Sequence, residues 1–246
     1  MRRALALLLF SALLAIPCAL SAQEPASADL NRLFAAARRA GLQEADLLPV
    51  LDTLGQLQAQ SLPTGRYVEK TLECMAKRCT AETLAARAKS VAEQTRSAAR
   101  LLRELEATGL KQVADAAGQN PVEDLADTLQ TAPLTAEELA EIRKALKTEQ
   151  LPRVLAGADA FAHLGRQRVD VAAAFQLLSA APAKLPDRDL RFLPRAFCMG
   201  RRAGLSDADV QQALVRGMAK GTSPYDLMQE WAQEAGYRGP GCGMGQ

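Results

Sequence analysis

Four stretches of this chain carry one instruction: "NPVE" at 120–123, "TAEE" at 135–138, "SDAD" at 206–209 and "SPYD" at 223–226. Each sets Asn, Thr or Ser three residues ahead of an acid, and Pro121 and Pro224 follow two of the caps directly. A side-chain oxygen there accepts from amides that the first helical turn leaves unpaired, and the acid suits the positive end of the helix dipole. Glycines at 41, 109, 118, 204, 221 and 236 supply the matching stops. Between starts and stops the apolar residues recur at helical spacing, and no stretch alternates apolar with polar residues as a half-buried strand would. The pattern predicts an all-α fold of roughly eleven to twelve helices, with a long one over about 81–107. Aromatic residues are only 4% of the chain and Trp231 is its single tryptophan. Ala and Leu must therefore build the core, and many helices must share the burial.

The helices carry an internal duplication. An offset of 143 takes Leu42 onto Leu185, Leu62 onto Leu205, Met75-Ala76-Lys77 onto Met218-Ala219-Lys220, and Leu84 onto Leu227. Caps, apolar positions and helix stops coincide under the same shift, so the repeated unit reads as a helical hairpin module. The expected organisation is a module over 23–108, a hinge over 109–133 broken by Gly and Pro, and a module over 134–236 holding the second copy. A flexible Gly-rich tail follows at 237–246.

Within the first copy, "SLPTGRYVEKTLECMAKR" at 61–78 resembles repeats of a group of uncharacterised exported bacterial proteins, of approximate pattern G-L-P-T-G-x-L-V-x-K-x-x-E-G-x-A-K-G. Leu62, Pro63, Thr64, Gly65, Val68, Lys70, Glu73, Ala76 and Lys77 fit it, while Ser61, Cys74 and Arg78 stand where the pattern has Gly. The resemblance implies helical repeats and a bacterial envelope setting, and it brings no activity or site.

The N-terminus points the same way. Arg2 and Arg3 precede an apolar run over 4–20 and small residues up to Ala22, the three-part pattern of a secretory signal peptide over 1–22. The run is short for a span and no basic cluster follows it, so no transmembrane anchor is expected after cleavage. Pro17 before Cys18 departs from a lipoprotein signal. The chain holds 30 Lys and Arg against 28 Asp and Glu, and losing Arg2 and Arg3 leaves 28 of each. A neutral chain lacks the cation excess that nucleic-acid binding draws on.

Four cysteines then remain: Cys74, Cys79, Cys198 and Cys242. An oxidising compartment favours disulfides, and four cysteines allow three connectivities. Residues five apart in an unbroken helix are too distant to bridge. But the duplication sets Arg78 on Gly221, a helix end, so the chain turns before Cys79. The expected pairs are Cys74–Cys79 and Cys198–Cys242, against the alternative of small buried thiols, since Cys74 aligns with Gly217. The cysteine spacing lacks the CxxC pair of a zinc site, and Thr80 stands where haem attachment needs histidine. A thiolate at a helix C-terminus is opposed by the dipole, which argues against redox catalysis.

His163 is the one histidine. The carboxylate pairs Glu137/Glu138 and Asp187/Asp189 lie in first helical turns, where capping accounts for them. No catalytic, cofactor-binding or metal-binding residue is assigned. Tyr225, Met228 and Trp231 on the last helix read first as core anchors of that helix, with a partner surface as the alternative. The functional expectation is an exported, periplasmic or secreted, non-catalytic helical-repeat protein serving as an interaction module toward an envelope protein partner. A helical bundle holding a lipid or apolar small molecule comes second, and a carboxylate-dependent enzyme third.

Overall fold

Among the described residues the sequence signals become twelve helical segments: α1 (Glu24–Ala40), α2 (Glu44–Ala59), α3 (Gly65–Ala76), α4 (Ala81–Ala107), α5 (Pro121–Thr131), α6 (Ala136–Leu146), α7 (Leu151–Arg166), α8 (Val171–Ala180), the single turn α9 (Asp187–Leu190), α10 (Leu193–Arg202), α11 (Asp207–Lys220) and α12 (Pro224–Glu234). The structure, a computed structural model, describes residues 24–111 and 120–236, with side chains from residue 28. The signal peptide expected over 1–22, Gly118, and the tail with Cys242 lie outside the described residues. Among the described residues there is no strand, only one parallel bridge between Lys111 and Gln150. The fold is all-α.

The caps act as their chemistry requires. Asn120 accepts from the Val122 amide, and Ser206 from that of Asp209. Thr135 with Glu138 and Ser223 with Asp226 each close a reciprocal capping box. Stops at Gly41, Gly109, Gly204, Gly221 and Gly236 all take positive φ. Among the described residues four further left-handed positions are not glycine: Ser61, Arg78, Lys147 and Arg168, at φ 54°, 55°, 49° and 60°. Three of these, Ser61, Lys147 and Arg168, give no sequence signal, because a bulky residue there is chosen against its own preference.

Two apolar cores share one helix. The first is built around Leu33 of α1, Leu47, Val50 and Leu54 of α2, Tyr67 and Met75 of α3, and Leu84 to Ala92 of α4. The second takes in Ala98 to Leu105 of α4 and the buried faces of α5 to α12. Between them on α4 lies buried Thr95, whose hydroxyl donates to the Val91 carbonyl. The boundary between cores thus falls inside α4 rather than at residue 108. The later part of the expected hinge is α5, which packs between α4 and α7 with Leu125 and Ala126 fully buried. Its amphipathic face makes it core rather than linker.

The duplication shows in the bounds of the helices and in the turns between them. The offset of 143 lays α2 over the span of α9 and α10, sets α3 on α11, and brings the start of α4 onto the start of α12. It sets Ser61 on Gly204 and Arg78 on Gly221, all of positive φ. The hydrogen bonds repeat too: Leu62 N to Leu57 O at 3.0 Å matches Leu205 N to Gly200 O at 3.1 Å. Helix α8 takes the place of α1, preceding α9 and packing on α11 as α1 packs on α3.

Candidate functional site

The segment 73–80 closes α3 and turns into α4. The Cys79 amide donates to the Cys74 carbonyl at 3.2 Å and the Arg78 amide to Met75 at 2.9 Å, with Arg78 left-handed: a Schellman turn. Such turns commonly carry an apolar contact between the two outermost residues. Here a Cys74–Cys79 disulfide replaces it, with Cα atoms 5.6 Å apart. In the second copy the same bond runs from Thr222 N to Gly217 O at 2.9 Å, and Gly217 leaves room for Leu227. A Cβ on Gly217 would lie 2.5 Å from Leu227 Cδ1. Cys198 is also disulfide-bonded. Its expected partner, Cys242, lies outside the described residues.

The stapled joint forms one wall of a groove between α1 and α3, about 780 Å³ in volume. Ala35, Ala36, Ala40, Leu72, Met75 and Ala76 line its apolar part. Arg32, Arg39 and Arg78, with Asn31, complete the lining. Arg32 pairs with Asp29 at 3.1 Å, and among the described residues Arg39 bonds only its own helix, at the Ala35 carbonyl. Among the described residues Arg78 has no ion-pair partner. No sequence signal marks this groove, since its walls come from helices about 40 residues apart.

The other face of α3 borders a polar cleft of about 820 Å³, lined by residues that include Lys70, Glu73, Lys77, Asp127, Asp159 and His163. Its carboxylates are each held by a cation. Lys77 at 2.6 Å, then Lys70, keeps Glu73 below the usual carboxylate range. Asp127 accepts from Arg66 Nε at 2.6 Å, and Asp159 lies 3.5 Å from His163 and 4.0 Å from Arg191. Nearby Asp124 is pushed up by burial, against the opposing pull of Arg191 at 3.6 Å. Among the described residues no group of three His, Cys, Asp or Glu side chains is placed to hold a metal ion.

The "PTGR" residues of the recognisable repeat have a structural task. Thr64 makes no side-chain cap; Glu123 of α5 accepts from the Arg66 amide at 2.8 Å and serves the start of α3 instead. A Cβ on Gly65 would lie 3.1 Å from that carboxylate. The buried Arg66 guanidinium also donates to Gln94, Gln130 and the Ala126 carbonyl. The motif therefore docks α3 onto α5.

Other sequence candidates also have structural roles. Glu138 closes a capping box, and Asp187 accepts from buried Arg153 at 3.2 Å. Of the possible partner surface at Tyr225, Met228 and Trp231, Met228 and Trp231 are buried, because α12 covers α10, and they anchor the terminal helix as the core reading expects. Tyr225 alone is exposed, edge-on to Phe192 with ring centroids 5.0 Å apart. No described helix is long and apolar enough to cross a membrane. Comparison with known proteins gives no match, whether to a family model, a curated protein or a solved structure.

Proposed function

We propose that the chain is an exported, non-catalytic interaction module of the bacterial cell envelope, built from a duplicated helical unit and docking a protein partner through its N-terminal copy. The observation that carries this reading is the apolar groove between α1 and α3, bordered by arginines and walled by a disulfide-stapled joint. A structural disulfide suits an oxidising compartment, in keeping with the leader-like N-terminus and the envelope resemblance. Titratable groups elsewhere are taken up in caps and ion pairs that hold helices together, as with Glu138 and Asp187. The apolar floor also supports a second reading, a lipid or apolar small molecule held in the same groove. Affinity capture from envelope extract under mild conditions, with mass spectrometry of co-purified proteins and lipids, separates the two. Recovery of a specific protein supports the first reading and of a specific lipid the second. Recovery of neither rejects both.

A further inference from the structure

The unpartnered side of α1 has a counterpart elsewhere in the molecule. In the second copy α8, which takes the place of α1, is packed by α6 and α7 as well as by α11. In the first copy α1 packs chiefly on α3 and more lightly on α2. Among the described residues no helix packs on α1 as α6 and α7 pack on α8. The end of a helical stack is where an exposed apolar surface needs either a polar cap or a partner.

Alanines at 35, 36 and 40 leave a trough rather than a ridge, and Leu72 and Met75 give it an apolar wall. The lining on α1 runs from Asn31 to Ala40, about 14 Å at 1.5 Å per residue, enough to seat two to three turns of a helix. Arg32, Arg39 and Arg78 border the trough, and no carboxylate is among its lining residues. Arg39 and Arg78 are free of carboxylate partners among the described residues, so their charge is open to a ligand. Because the disulfide fixes the turn bearing Arg78, this part of the border is set before any partner arrives, which lowers the ordering cost of binding.

We infer that the α1–α3 groove receives an acidic amphipathic helix of a partner protein, its apolar face on Ala35, Leu72 and Ala76 and its carboxylates on Arg39 and Arg78. The length and apolar lining of the trough suit a helix, and the arginine border suits its carboxylates. This inference rests on the interaction-module reading and names the chemistry of its partner.

The test uses the oxidised full chain and a fluorescein-labelled synthetic helix of about four turns, leucine on one face and glutamate on the others, followed by anisotropy. Ala35→Trp and Ala76→Trp fill the groove from exposed positions, so the fold is retained and circular dichroism checks this. Arg39→Glu with Arg78→Glu reverses the border. The expected result is saturable binding that weakens at least tenfold in either pair of substitutions and with added salt. A matched peptide with lysine for glutamate binds at least tenfold more weakly. Equal binding to wild type and filled groove overturns the inference, as does no binding of the acidic peptide. Binding of phosphatidylglycerol vesicles without binding of the peptide overturns it in favour of a lipid surface. A protein captured equally by wild type and filled groove leaves the interaction module standing and removes only the groove as its site.

Discussion

Replacing Cys74 and Cys79 with serine measures what the staple contributes to the α3–α4 joint. The bridge spans a sequence separation of 5. Loop-closure entropy for so small a ring gives about 2 kcal/mol. Two serines leave the Schellman hydrogen bonds in place, but Arg78 remains left-handed at φ 55° with the covalent restraint gone. A bulky residue in that region costs about 1 kcal/mol or more. The double variant should therefore lose about 2 kcal/mol, a fall in Tm of roughly 4–8 °C for a domain of this size. Urea unfolding followed by far-UV circular dichroism is the assay. Substitution is used rather than a reducing agent, because Cys198 is disulfide-bonded as well. Adding Arg78→Gly to the serine variant should return about 1 kcal/mol by relieving the left-handed residue. A loss below about 0.5 kcal/mol would refute the reasoning: the two hydrogen bonds would then hold the joint unaided. The second copy cannot borrow the device, because a cysteine at Gly217 would press into Leu227.

Lys147→Gly and Arg168→Gly should each stabilise by about 0.5–1 kcal/mol, read as a higher urea midpoint, because both end helices at positive φ. Gly200→Ala should destabilise by about 1–3 kcal/mol, since the new Cβ would meet Val210 Cγ2 at 2.7 Å and Trp231 at 3.2 Å. Gly165→Ala, with open space around it, serves as the matched control and should be neutral or stabilising. Burial pushes the Tyr67 phenol up to about 12, while its hydroxyl donates to the Val50 carbonyl at 2.8 Å. With the folded value above the unfolded one, the linked stability is whole below pH 10 and is lost as pH rises toward 12. Up to about 3 kcal/mol should disappear over that window. Tyr67→Phe should cost about 1 kcal/mol at neutral pH and remove this decline, and parallel pH profiles of the two proteins would contradict the assignment.

Local chemistry was readable from the chain and long-range chemistry was not. Asn120, Thr135, Ser206 and Ser223 cap as expected because the cap and its amide lie within three residues of each other. Five glycine stops hold for the same reason. Ser61, Lys147 and Arg168 escaped because the fold imposes their backbone conformation against their own preference. The Cys74–Cys79 pair was legible only because the duplication placed a glycine stop opposite Arg78. Trp231 and Met228 were legible as core anchors from their apolar spacing, but nothing in the last helix says that α10 is what lies beneath them. Glu123 capping α3 from α5, and the groove between α1 and α3, join residues far apart in sequence, so neither leaves a local trace.

Helix α4 has 27 residues and gives its first half to one core and its last half to the other. Melting either core strips one wall from its neighbour, so neither half retains its full protection when the other opens. Hydrogen exchange should therefore show the interior amides of α4 opening together, with similar protection on both sides of Thr95. The repeat is doubled in sequence, but a shared spine should make the two halves open and close as one body.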